Sequence, residues 1–163
     1  ATPIFLQGLL GEDATHVTGV AFALGGAASA LGIWLMTGRW VKQLRSGTVL
    51  AGGALLLALV HGLLAGSSTV LQFDIWFTLA SLLNAALMPA TNTLIALNVS
   101  RGRRGTAFGY GSSAQAIAFM VGPMAAAGFA HWSLAAGFAV VGAVMLVMAV
   151  VMKVAVKEPP AAD

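Results

Sequence analysis

The chain has 163 residues, 59% hydrophobic and 8% charged, where a soluble domain carries roughly 25% charged residues. Eight basic and five acidic side chains cannot coat a soluble fold of this size, and a mean hydropathy of +0.92 makes lipid the solvent for most side chains. This excludes a soluble enzyme and a disordered linker, and the absence of cysteine excludes a disulfide-stapled domain or a thiolate metal site.

Residues 1–10, ATPIFLQGLL, are apolar but too short to cross a bilayer. They carry no basic n-region and no small-residue cleavage site, so they are not a signal peptide. They read as the tail of a preceding helix, the alternative being a short re-entrant or interfacial piece. Four stretches follow that hold no Asp, Glu, Lys or Arg and run near 20 residues: 15–37, 48–66, 75–97 and 106–130. A fifth, 134–152, is almost purely apolar. None shows the period-two alternation of a membrane barrel strand, so all five are expected to be helices. The expected fold is an all-α membrane bundle of five complete spans and the tail of a sixth, in a single transmembrane domain.

Charge placement sets the expected orientation. Arg39, Lys42 and Arg45 fall in the first connection, Arg101, Arg103 and Arg104 in the third, and Lys153 and Lys157 at the C-terminal end. Alternating spans put all of these on one side, and Glu12, Asp13 and Asp74 on the other. The positive-inside rule makes the basic side, and the C-terminus, cytoplasmic in a cell membrane. Trp34, Trp40, Trp76 and Trp132 lie near span ends, as an aromatic belt would place them. The connections are too short to house a soluble domain. Their cations therefore read as anchors facing anionic lipid, with no nucleic acid as partner.

Intramembrane ionisable residues are the first place to look for function. His61 is the one titratable candidate at depth, since His16 and His131 sit at the outer boundary, and a lone His there reads as packing. Asp74 opens the third span and reads as a helix cap. No HExxH, paired carboxylates or Ser/His/Asp set occurs within the spans, so no enzyme, cofactor or metal site is expected. The third span is the most polar. Thr78, Ser81, Asn84, Met88 and Asn92 recur at steps of three and four and share one face. That face would suit the wall of a substrate cavity, or Asn84 and Asn92 would glue helices by hydrogen bonds. Pro89 interrupts the backbone ladder between them.

The fourth span carries a Gly105–Gly109 pair extended by Ser113, a row that permits close helix approach. Phe108, Ser112, Gln115, Phe119 and Gly122 form a second face, and Gly122-Pro123 marks a bend or hinge. The connections GRWVKQLRSG (38–47) and NVSRGRRG (98–105) are basic and rich in Gly.

Taken together, the chain resembles the C-terminal half of a major facilitator superfamily transporter of the drug:proton antiporter branch, over essentially its whole length. GRWVKQLRSG, led by Gly38, sits where the family has its Gly-led basic loop. Arg104-Gly105-Thr106-Ala107-Phe108-Gly109 matches the entry to the family's eleventh helix, and Gly122-Pro123 matches the branch's Gly-Pro. Lys42 replaces the loop's acidic residue, and Ala118, Ala126 and Ala127 replace glycines around the Gly-Pro; both departures fit a second half. The resemblance implies alternating-access efflux of small amphipathic drugs, coupled to protons, together with an N-terminal half and the bilayer as partners. Asn84, Met88, Asn92, Ser112, Gln115 and Phe119 would line the cavity. A transporter of another small solute, such as a metabolite or sugar derivative, and a non-transporting membrane scaffold subunit are the alternatives.

Overall fold

The structure, a computed structural model, describes residues 14–37, 46–130 and 133–155. The described residues form five long helices: α1 (Ala14–Thr37), α2 (Ser46–Ala65), α3 (Val70–Asn98), α4 (Arg104–Ala130) and α5 (Leu134–Ala155). A single 3₁₀ turn, Arg101–Arg103, joins α3 to α4, and no strand occurs among the described residues. At 1.5 Å per residue the 20 residues of α2 span about 30 Å and the 29 of α3 about 43 Å, so each can cross a hydrocarbon core of about 30 Å. Among the described residues four helices are both long and apolar enough to span, over Thr15–Met36, Gly47–Ala65, Val70–Asn98 and Ala135–Val154. α4 has the length, with 27 residues, but its Gly, Ser, Thr and Gln content makes it less apolar. Residues 1–10 and the connection holding Gly38, Arg39, Lys42 and Arg45 lie outside the described residues, as do Trp40 and Trp132.

The helices start and stop by local chemistry. α2 ends as Gly66 N–H bonds the carbonyl of Gly62 at 3.2 Å and Ser67 N–H that of Leu64 at 3.2 Å. Thr69 then caps α3 in an extended conformation (φ −127°, ψ 153°), its hydroxyl accepting from Gln72 N–H at 3.3 Å. The Gln72 side chain reaches back to accept from Ser68 N–H at 3.2 Å, a Thr-x-x-Gln capping box displaced by one residue. Asp74 is therefore not the cap of this helix. It lies in the second turn, because Thr69 and Gln72 satisfy the first orphan N–H groups five residues earlier. Ser133 does the same for α5, with its hydroxyl accepting from Ala136 N–H at 3.3 Å.

Packing runs side by side in the order α1, α3, α2, α5, while α4 rests lightly against α3 and α5. α1 and α3 run parallel and approach through small residues. Gly25 faces Phe77 and Ser81, and a Cβ at Gly32 would run into the carbonyl oxygen of Leu82. Ser29 Oγ donates to Gly25 O at 2.8 Å and lies 3.3 Å from Ser81 O across the seam. α2 and α5 run antiparallel, and a Cβ on Gly142 would sit 3.1 Å from Ala58 O. The core between these seams is Ala21, Leu57, Val60, Leu64, Phe73 and Ala80. Phe73 stacks on Phe77 at 5.8 Å and meets Phe138 edge-on at 6.0 Å. Trp76 packs against this cluster, whereas Trp34 is exposed as a belt residue would be.

Candidate functional site

The candidate site is built on α3 and α4. On α3 the polar stripe splits. Ser81 is turned into the α1 seam, its hydroxyl donating to Phe77 O at 2.8 Å and its carbonyl oxygen facing Ser29. Farther along, the contact line with α1 moves to Leu82 and Ala86, because crossing helices touch along a line that drifts around each of them. Asn84, Met88 and Asn92 are left exposed, Met88 by 49%. Thr91 and Thr93 satisfy their hydroxyls on their own helix, at Leu87 O (3.0 Å) and Pro89 O (2.9 Å). Pro89 sits within an unbroken helix. Its missing N–H leaves the Ala85 carbonyl without its usual donor.

On α4, Ser112, Gln115 and Phe119 are all exposed, Phe119 by 73%. Asn84, Asn92, Ser112 and Gln115 make no side-chain hydrogen bond within the described residues. Helix-to-helix gluing by Asn84 and Asn92 is thus not formed there. Gly105, Gly109 and Gly122 meet nothing within 4 Å of a Cβ, and α4 runs helically through Pro123. Whatever packs against that glycine row lies outside the described residues. No hydrogen bond among the described residues joins the six positions into one site.

His61 behaves as a packing residue. Its Nδ1 is 2.8 Å from Leu57 O, the geometry of an N–H donating one turn back, and its Cβ lies beside the Gly142 approach. In the sequence Asp74 marks a span boundary. Within α3 its Oδ1 is the one buried side-chain polar atom without a hydrogen-bond partner among the described residues. The signal that could have placed it inside the helix was Thr69-x-x-Gln72. The basic turn between α3 and α4 is folded on itself. Arg103 N–H bonds Ser100 O at 2.9 Å, and Arg104 Nε donates to Val99 O at 3.1 Å. Arg101 and Arg103 are exposed. Among the described residues no group of three His, Cys, Asp or Glu could hold a metal ion.

Long apolar helices joined by tight turns, small-residue seams and a polar stripe left exposed describe a membrane helix bundle. Neither the curated proteins nor the solved structures compared with the chain contain a match to it. The sequence model of the Major Facilitator Superfamily matches residues 1–163, all of the chain. The chain belongs to the Major Facilitator Superfamily of membrane transporters.

Proposed function

We propose that this chain acts as the second half of a proton-coupled transporter that expels small amphipathic drugs by alternating access. The observation that carries the reading is the pattern of exposure on α3 and α4. Asn84, Met88, Asn92, Ser112, Gln115 and Phe119 all lie exposed, and the four with polar side chains keep their hydrogen-bonding capacity free within the described residues. A hydrocarbon-facing helix would not carry free amide groups at depth, since each unsatisfied group costs several kcal/mol there. A water-filled cavity shared with a first half resolves that cost. Adaptable Met and Phe side chains with a few neutral donors and acceptors suit substrates of varied shape. All cations fall on one side of the alternating spans, which supports a cytoplasmic C-terminus in a cell membrane. Transporters near a midplane cavity work by rocking one half against the other.

The test is efflux of an amphipathic fluorescent dye by the complete transporter at matched membrane levels. Asn84→Leu, Asn92→Leu and Gln115→Leu should each slow efflux roughly fivefold, the worth of a net hydrogen bond of about 1 kcal/mol. A protonophore should abolish it. Parental efflux in all three variants would contradict the cavity, and efflux that survives the protonophore would contradict the coupling.

A further inference from the structure

A groove of about 480 Å³ lies between α2 and α5, away from the polar stripe and at the end of the bundle that carries the basic segments. Its walls are apolar: Ala51, Leu55, Leu146 and Val150 among others, with Gly52 on the α2 side. Its mouth holds Thr48 and Lys153. No residue of α3 or α4 contributes to it. The groove exists because the antiparallel α2–α5 seam is tight at Gly142, opposite Ala58 and His61. Farther along, Ala51 and Gly52 face α5 with too little side chain to fill the gap. A Cβ on Gly52 meets nothing within 4 Å, which measures that space directly.

We infer that this groove binds a phospholipid with an anionic headgroup from the leaflet on the basic side. The occupant follows from where the groove lies and how its charge is arranged. Leu55, Leu146 and Val150 are exposed on two spanning helices, so the medium that meets them is the acyl region of the membrane. The mouth lies at the first turn of α2 and the last turn of α5, at headgroup depth. There the positive end of the α2 dipole and the Lys153 ammonium point the same way electrostatically. Asp74, the one carboxylate among the described residues, is at the opposite end of the bundle. By sequence, the segments on the groove's side hold all eight basic residues against Glu158 and Asp163. An acyl chain therefore fills the walls while a phosphate meets Thr48 and Lys153. A groove of this size is within the range of small-ligand sites. The inference rests on membrane insertion and on the α2–α5 face meeting lipid, the polar α3–α4 face being the one turned to the first half, and does not depend on the substrate or the coupling ion.

The complete protein, purified in detergent and mixed with phosphatidylglycerol or phosphatidylcholine, is read by native mass spectrometry for lipid retained. The parent should favour phosphatidylglycerol about fivefold, the worth of one cation beside an anionic surface. Lys153→Gln, a surface change without folding consequence, should bring the two lipids within about twofold of each other. Gly52→Phe, which puts bulk where a Cβ meets nothing within 4 Å, should lose one bound lipid of either kind. Unchanged retention of phosphatidylglycerol in either variant overturns the proposal. Dye efflux is not the readout, so a failed transport assay and a failed lipid site are told apart.

Discussion

Gly32 shows how a single residue sets the α1–α3 seam. A Cβ there would run into the Leu82 carbonyl oxygen and lie 3.3 Å from Ala86 N, both backbone atoms of a packed helix. At Gly53 the obstacle is instead the far end of the Leu87 side chain, which can turn away, and at Gly26 there is nothing within 4 Å. Gly32→Ala should therefore destabilise by roughly 1–3 kcal/mol, as overpacking a rigid contact does. Gly53→Ala should cost less, and Gly26→Ala should be neutral or up to about 1 kcal/mol stabilising, because Ala is the better helix former. Apparent thermal midpoints of the three variants in detergent check the order, and a Gly32→Ala midpoint equal to that of Gly26→Ala would contradict it. Little of this was legible in the sequence. Gly25-x-x-x-Ser29 in α1 and Gly105-x-x-x-Gly109 in α4 look equally suited to close approach. The pattern gives the capacity for contact, and only the tertiary arrangement decides which row meets a neighbour.

Among the elements, α4 differs most from the rest. It is helical from Arg104 to Ala130, yet almost every residue on it is exposed, and a Cβ on Gly122 would meet nothing within 4 Å among the described residues. Pro123 removes one backbone bond, to the Phe119 carbonyl, and Gly122 leaves room for another backbone at that point. In the complete transporter Gly122→Leu should block dye efflux by filling the space a moving neighbour needs, with membrane levels near normal because Leu inserts favourably. Pro123→Ala restores the backbone bond without bulk, and a milder loss is expected. Efflux rates at matched levels decide it, and parental efflux in Gly122→Leu would contradict the hinge. Helix existence was readable from hydropathy, since a run without charges near 20 residues long has few other solutions in lipid. The start of α3 was not, because the charge of Asp74 marks a span boundary by hydropathy, whereas the Thr69 and Gln72 side chains begin the helix five residues earlier. The α3 stripe was half legible. Spacing placed Ser81 with Asn84, Met88 and Asn92, but the drift of the α1 contact line separates it from them.

At the scale of the molecule, four helices pack in sequence α1, α3, α2, α5 through small-residue seams, and the fifth stands lightly attached. The apolar faces of α2 and α5 and the polar face of α3 and α4 are both exposed, but they ask for different media. Leu59 on α2 and Val147 on α5 suit hydrocarbon, whereas Asn84 and Gln115 need water or substrate. We propose that the second medium is a transport cavity. The chain holds no cysteine, so introduced thiols report their own surroundings. The most direct measurement places single cysteines at Asn84, Gln115, Leu59 and Val147 in the complete transporter, freed of other cysteines, and treats membranes with a charged, water-soluble thiol reagent. Positions 84 and 115 should react, more slowly when an amphipathic substrate is bound, while 59 and 147 stay unmodified. Equal reactivity at all four, or silence at 84 and 115, would contradict a water-filled cavity walled by α3 and α4.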